Sequence, residues 1–195
     1  MSSSKVLHSN SVSYRSPIGV ISLCFSHRGF LREVTLMNQT ISTGFQENQI
    51  SSGPFEIHGH EDAQCKCLEW LDEYFEGKII DHNRLIDFID MGDLSEFSKT
   101  VLKTLLKKVS YGQVISYAML SELSTGSTSS ARAVGNALRH NPFPIFVPCH
   151  RVVKSSYFTR SNSIKGVGGY CGQKSSFVKE WLIMHESSNA ADKKP

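Results

Sequence analysis

The nine residues IFVPCHRVV, from Ile145 to Val153, place a cysteine and a histidine inside a run that is otherwise apolar and rich in β-branched side chains. Such a run predicts a short buried strand, from which both residues would normally be excluded. Pro148 cannot donate a hydrogen bond to a neighbouring strand, so we expect the strand to end or bulge there and Cys149 to lie where the backbone emerges. Cysteine attacks as a thiolate, which an adjacent base and nearby positive charge favour. His150 and Arg151 are candidates for these roles.

A cysteine beside a histidine can also be an inert pair in a hydrophobic core, so the flanking sequence has to separate the two interpretations. Upstream, Asp93 or Ser95 is a suitable N-cap for a helix through Val109. Its predicted buried face comprises Phe97, Val101, Leu102, Leu105, Leu106 and Val109.

Two shorter helices are predicted between this helix and the cysteine. Ser116 is placed to cap the first, from Tyr117 to Leu123. After a turn at Gly126, the second runs from about Thr128 to His140, where Asn141-Pro142 stops it because a residue before proline avoids α geometry. Two short helices joined by a glycine-containing turn form a helix-turn-helix pattern.

The second of these helices has two different faces. Its predicted buried stripe comprises Ala131, Val134 and Leu138. The opposite face holds one long cation among smaller neighbours: Ser129, Arg132, Ala133, Asn136 and His140. Small side chains would let the backbone approach a phosphate chain closely, although a solvated face is the alternative interpretation.

The N-terminal half predicts a small antiparallel meander and one helix. Strands are expected between Val6 and Leu36, with turns at 16–19 and 27–29. Residues 38–60 are polar and predict an irregular loop. Helical spacing of apolar residues follows from Glu61 to Glu76, and Gly77 is a suitable stop.

A possible metal cluster in this half fails on geometry. His58 and His60 precede Cys65 and Cys67, but residues two apart on a helix point about 200° away from each other, so both thiols cannot reach one ion. We predict no metal and no cofactor.

Length and composition set wide limits. The 195 residues suffice for one large or two small domains, and a net charge of +3 permits an anionic partner without requiring one. No apolar run approaches the roughly 20 residues of a membrane span, and the start lacks the apolar core of a signal peptide. Five cysteines without framework spacing predict free thiols in a reducing compartment.

Four segments occur in one order over about forty residues: YGQVISY at 111–117, ARAVG at 131–135, Asn141-Pro142 and PCHRV at 148–152. Together they resemble the O6-alkylguanine-DNA alkyltransferases, or methylated-DNA–protein-cysteine methyltransferases. The dense resemblance covers about 95–186. The N-terminal half is similar only through Ser16 to Gly19 and through the helix that carries Trp70, Tyr74 and Phe75.

The resemblance implies an α/β (α+β) fold with two domains: a small antiparallel sheet-plus-helix domain over 1–92, mainly supportive, and a winged-helix-like domain over 93–187 with the helix-turn-helix and the chemistry. Residues 188–195 are expected to form a disordered tail. The implied activity is direct reversal of DNA damage. An alkyl group on O6 of guanine, or on O4 of thymine, moves irreversibly to Cys149, once per molecule, in a monomeric nuclear protein.

The same resemblance implies roles for five catalytic residues. Cys149 is the nucleophile, and His150 acts on it through a water with the Glu186 carboxylate behind it. Tyr117 donates a proton or hydrogen bond to the departing guanine. Asn141 braces the turn beside the active-site segment.

For double-stranded DNA, the resemblance implies that the second helix enters the minor groove and that Arg132 fills the space left by a flipped nucleotide. Ala131 and Ala133 suit that close approach. Further contacts, mostly to the phosphodiester backbone, are expected from Ser98, Ala118, Ser127 and Ser155. The substrate pocket is expected to comprise Pro148, Val152, Tyr170, Cys171 and Gly172.

Three features depart from the family pattern. The polar segment Ser155–Lys165, with Arg160 and Lys165, is inserted where the pocket loop should lie. Cys171 stands where a serine is more usual. Cys24 lies near a zinc-ligand position of some members, but the other ligands are missing.

Two alternative functions are a cysteine hydrolase, whose Cys and His would usually be distant in sequence, and a DNA-binding module without transfer, which would lack Cys149.

Overall fold

A computed structural model of the chain describes residues 10–37, 61–159, 167–170 and 177–191. The predicted loop at 38–60, His58 and His60, most of the inserted segment, Cys171 and Gly172 lie outside these ranges. Within them, every helix falls short of the length and apolar character that a transmembrane segment needs.

The N-terminal half forms the predicted meander. Strands β1 (Asn10–Ser16), β2 (Gly19–Phe25) and β3 (Leu31–Met37) pair antiparallel in that order. Helix α1 (Glu61–Phe75) follows, and Gly77 leaves it with a φ of 79°. A 3-10 helix over His82–Phe88 then leads to the second half.

The C-terminal half begins with α2 (Glu96–Lys108), which Ser95 caps by accepting from the Ser98 N–H. Strand β4 (Ile115–Ser116) leads into α3 (Tyr117–Thr125), which Ser116 caps and the left-handed Gly126 ends. A 3-10 turn (Thr128–Ser130) precedes α4 (Ala131–Arg139). These elements confirm the predicted helix-turn-helix.

The segment from 145 to 153 is buried as predicted, but the prediction of a short strand before Pro148 is wrong, since Pro144 and Val147 make only an isolated bridge there. Cys149–Arg151 form a 3-10 turn, and only Val152–Val153 form a strand, β5, parallel to β4. Ile145 has a left-handed φ of 74°, and Pro148 lacks an N–H. Both features are incompatible with a regular ladder, so the chain turns and carries Cys149 at the start of the turn.

The chain ends in a short helix α5 (Ser156–Thr159) and a long helix α6 (Phe177–Ala191). Helix α6 continues past Ser188, so the predicted disordered tail is wrong for 188–191. The reason is packing against the end of α1: a Cβ added at Gly77 would lie 2.6 Å from Asn189 Oδ1.

Two burial predictions need correction. The helical spacing predicts Phe97 on the buried face of α2, but its side chain is 37% exposed, because the buried face of that helix begins one turn later, at Val101. Ala131 is only partly buried, and the buried stripe of α4 is instead Val134, Ala137 and Leu138. Arg132, Ala133, Asn136 and His140 are exposed as predicted.

The described parts of both halves share one hydrophobic core. It extends from Val12 in β1 to Leu182 in α6, and α1 contributes Trp70, whose ring stacks on Phe146 with centroids 4.9 Å apart. Backbone bonds also cross: the Val34 N–H donates to the Pro142 carbonyl at 2.8 Å. The sheet and α1 therefore support the segment that leads to Cys149. The division into domains at residue 92 stays a prediction.

Candidate active site and DNA-facing surface

Cys149 lies 6% exposed at the N-terminal end of the 3-10 turn. Burial raises the pKa of its thiol above the ordinary value, while hydrogen bonding from Asn141, the charge of Lys179 and hydrogen bonding from Tyr170 act in the opposite direction. The net effect is a neutral thiol at rest, surrounded by groups that stabilise a thiolate once it forms.

His150 is fully buried behind the cysteine. Its Nε2 lies 2.7 Å from Glu186 Oε1. Burial lowers the pKa of His150, so the imidazole is neutral near pH 7, and Nε2 donates its hydrogen to the carboxylate. Nδ1 is then the acceptor nitrogen. It is buried and has no hydrogen-bond partner among the described residues.

Glu186 is the centre of a buried polar network and accepts five hydrogen bonds. Oε1 receives His150 Nε2, Arg151 Nη2 at 3.0 Å and the Tyr74 hydroxyl at 2.9 Å. Oε2 receives Arg151 Nε at 2.7 Å and the Gly112 N–H at 3.0 Å. Burial alone would raise the pKa of Glu186, but His150 and Arg151 hold it well below its usual range. The carboxylate is therefore ionised and paired with the guanidinium.

Arg151 is buried and bound on every side of its guanidinium group. Besides Glu186, it donates from Nη1 to the Val109 carbonyl at 2.8 Å, and it stacks over the Tyr111 ring at 5.7 Å. Nη2 lies 3.2 Å from His82 Nε2. Burial and the Arg151 charge hold the pKa of His82 well below its ordinary value, so His82 stays neutral beside the cation.

Tyr117 and Lys179 are two polar side chains whose interactions involve Cys149. The hydroxyl of Tyr117, at the start of α3, lies 3.5 Å from Lys179 Nζ on α6. Lys179 is 1% exposed and donates to the Val152 carbonyl at 2.6 Å. Burial is the main cause that raises the pKa of Tyr117, so the phenol keeps its proton near neutral pH.

Asn141 holds the segment before the cysteine in its turn. Its Nδ2 donates to the Val147 carbonyl at 3.0 Å, and its Oδ1 accepts from the Phe143 N–H at 3.0 Å. Because these bonds replace ladder partners, they fix a segment that cannot continue as a strand. Pro148, Val152 and Tyr170, predicted for the pocket, are buried around Cys149 and His150.

The predicted DNA-contacting residues lie on or beside the helix-turn-helix, with two exceptions, Ser98 and Ser155. Arg132 and Ala133 are exposed on α4, and Ala118 is partly buried on α3. Ser127 caps the 3-10 turn before α4 by accepting from the Ser129 N–H. Ser155 is exposed after β5, whereas Ser98 lies on the first turn of α2 and bonds Ser95.

Comparisons with known proteins address the identity of this arrangement. The model of the 6-O-methylguanine DNA methyltransferase DNA-binding domain matches residues 96–188. The methylated-DNA–protein-cysteine methyltransferase of Cricetulus griseus is 35% identical over 178 residues, which are 89% of this chain and 79% of that protein. Its Homo sapiens namesake is 35% identical over 173 residues, 88% of this chain and 77% of that protein. The chain belongs to the methylated-DNA–protein-cysteine methyltransferase family.

A solved structure supports the same conclusion at the level of the fold. Mycobacterium tuberculosis OGT in complex with DNA is 28% identical, with a TM-score of 0.63, over 91% of this chain and 92% of that chain. The predicted α/β fold of a DNA-repair methyltransferase with a DNA-binding domain is therefore confirmed. Among the described residues, no group of three or more His, Cys, Asp or Glu side chains could hold a metal ion.

Three residues around this site are not predicted by the sequence: Lys179, Tyr74 and His82. Lys179 and Glu186 fall at helical spacing with Leu182 and Ile183, so a buried lysine on that stripe was a usable signal. Tyr74 was recognised as part of α1, but nothing in the sequence connected its hydroxyl to Glu186. His82 had no neighbouring pattern that predicted its contact with Arg151.

Proposed function

We propose that this chain repairs double-stranded DNA by moving an alkyl group from O6 of guanine to Cys149, once per molecule. The observation that carries the proposal is a nearly buried cysteine beside a neutral His150, whose Nε2 is bound by the ionised Glu186. A buried thiol of this kind needs a base at the moment of attack, and the Glu186 bond leaves Nδ1 of His150 as that base. A water would bridge Nδ1 and the sulfur.

In the reaction, the Cys149 sulfur attacks the alkyl carbon as its proton passes to His150 Nδ1. The S–C bond forms while the C–O6 bond breaks, and the electron pair of that bond passes to the guanine ring. Tyr117 donates a hydrogen bond to the ring, and the proton taken up by His150 then passes to the guanine ring, so the products are a thioether and neutral guanine. Lys179 stabilises the transient thiolate and holds the Val152 carbonyl in place.

A base inside a duplex has to rotate out to meet Cys149, at a cost of a few kcal/mol. We place α4 in the minor groove, with Arg132 in the vacated stack and the small Ala131 and Ala133 allowing close approach. Ser98, Ala118, Ser127 and Ser155 are assigned to the backbone. Tyr170, Cys171 and Gly172 complete the pocket with Pro148 and Val152.

The decisive test is intact-mass spectrometry after mixing the protein with duplex DNA that carries O6-methylguanine. The wild type should gain the mass of one methylene group on Cys149, with a stoichiometry of one and no second turnover. Cys149→Ala should gain nothing and still bind DNA. Binding by the wild type without a mass gain would favour the module without transfer, and turnover would favour a hydrolase.

The resemblance also leads us to place the protein in the nucleus as a monomer. Fluorescence of a tagged chain tests the first assignment, and a cytoplasmic signal would contradict it. Sedimentation at micromolar concentration tests the second.

A further inference from the structure

The carboxylate that orients His150 is also bound from the N-terminal half, by a residue with no assigned role. Tyr74 on α1 is fully buried, and its hydroxyl donates to Glu186 Oε1 at 2.9 Å. That oxygen is the one that faces His150 Nε2 at 2.7 Å. The phenol and the imidazole therefore share one acceptor atom.

We propose that Tyr74 is a positioning residue for the transfer reaction: its hydroxyl fixes the Glu186 oxygen that orients His150 and moderates how strongly that oxygen attracts the imidazole proton. The proposal rests on the proposed function, in which His150 is the base. It gives the N-terminal half a direct part in the chemistry rather than a purely supporting one.

The position of the hydroxyl is fixed by packing on three sides. The Tyr74 ring stacks on Trp70 with centroids 5.3 Å apart and meets Phe75 edge-on at 5.2 Å. His185 Nε2 lies 2.7 Å from the Tyr74 carbonyl, which ties this turn of α1 to α6, the helix that carries Glu186. A ring held in this way keeps its O–H aimed at one oxygen, so the bond is preorganised.

The expected effect follows from competition for Oε1. When the Tyr74 donor is removed, more of the carboxylate charge acts on His150 Nε2–H, and the protonated imidazole becomes more stable. His150 then stays protonated, and unable to accept the thiol proton, up to a higher pH. The variant retains the other titratable or charged groups around the pair: His82, Tyr111, Cys149, Arg151, Tyr170, Lys179 and His185.

The experiment measures the acid limb of Cys149 alkylation as a function of pH with two reagents, iodoacetamide and duplex DNA that carries O6-methylguanine. Tyr74→Phe should move the midpoint of that limb to higher pH by about half a unit or more. The matched control is Tyr14→Phe, which removes a buried hydroxyl from the same aromatic core. The Tyr14 hydroxyl donates to Asp72 at 2.8 Å, and its ring stacks on Phe75. Tyr14→Phe should lower the melting temperature and leave the midpoint unchanged.

A second variant at position 74 leaves the core unaltered and should shift the pH midpoint in the opposite direction. Site-specific 3-fluorotyrosine at position 74 keeps the ring and strengthens the O–H donor, so the midpoint should move to lower pH. This variant also covers the case in which Tyr74→Phe does not fold. Unchanged midpoints in both Tyr74 variants, with lower rates at every pH, would overturn the proposal and leave Tyr74 a core residue. A shift with iodoacetamide but no reaction with methylated DNA would uphold the influence of Tyr74 on His150 and contradict the proposed function.

Discussion

The two halves of the chain differ in how much of their role can be predicted from short sequence motifs. The C-terminal half carries Pro148-Cys149-His150-Arg151 and the helix-turn-helix, and the matching family model covers 96–188. The N-terminal half has no such motif, yet it donates to Glu186, stacks on Phe146 and binds the Pro142 carbonyl. Short motifs therefore identify where the reacting atoms lie, but they do not identify all the segments that hold those atoms in place.

The strongest test of this comparison is Glu186→Gln, because Glu186 is where the two halves meet. The amide cannot neutralise Arg151 and cannot accept all five hydrogen bonds. Breaking a buried pair in this way should cost about 3 kcal/mol or more of unfolding free energy. Transfer should slow on the order of 100-fold or more, since a neutral amide no longer stabilises His150 when it takes up the thiol proton. Urea unfolding and single-turnover rates provide the two measurements.

The pH dependence of stability gives an independent check on this variant. The folded pKa of Glu186 lies below its ordinary value of 4.5, so its stabilisation is complete above that pH and is lost as the pH falls toward the folded value. Glu186→Gln should lack that part of the acid-induced loss. The exposed Glu122 is the control: Glu122→Gln should keep the wild-type profile. Identical acid profiles for all three proteins would contradict an ionised, paired Glu186.

Arg132→Ala tests the part that the C-terminal half plays in DNA binding. Arg132 is exposed on α4, so its loss should leave stability and iodoacetamide alkylation unchanged. Transfer from duplex DNA should fall about tenfold or more, because the extrahelical nucleotide is no longer replaced in the stack. Arg139→Ala, at the other end of α4, should retain most of the rate. Equal losses for the two variants would assign Arg132 a general electrostatic role only.

Trp70→Phe tests the N-terminal half, and its expected effect is the smallest. The smaller ring loses part of the stack on Phe146, with a cost of about 2 kcal/mol in stability. It should also slow transfer several-fold, because Phe146 lies on the segment that leads to Cys149. Ile21→Val, in the core behind the sheet, should lower stability without changing the rate. Rates that follow stability in both variants would return the N-terminal half to a supporting role.

The sequence was a good guide where local chemistry decides structure. Ser116 caps its helix as predicted, Ser95 is the one of the two candidate caps that caps α2, and Gly77 ends α1, because caps and left-handed glycines act within one turn of the chain. The apolar run around Cys149 predicted burial correctly but not the 3-10 turn, which depends on the Asn141 side chain and on the left-handed Ile145.

What the sequence could not supply were contacts between distant segments. Tyr74 and Glu186 are 112 residues apart, and His82 and Arg151 are 69 apart. A helical pattern indicates that Tyr74 is buried, but it does not identify the acceptor of its hydroxyl. Lys179 shows the same limit, since its position on the buried stripe was visible and its partner, the Val152 carbonyl, was not.

Gly112 constrains the design of another protein scaffold that would carry out the same chemistry. Gly112 has a left-handed φ of 74°, and its N–H donates to Glu186. A side chain would not fit at this position, because an added Cβ would lie 2.8 Å from the Ala190 Cβ. A grafted Pro-Cys-His-Arg loop would bring the nucleophile, the base and the guanidinium, but not the carboxylate that all of them depend on. A working design therefore has to copy a glycine turn, a tyrosine from a separate helix and a closing C-terminal helix, none of which belongs to the motif.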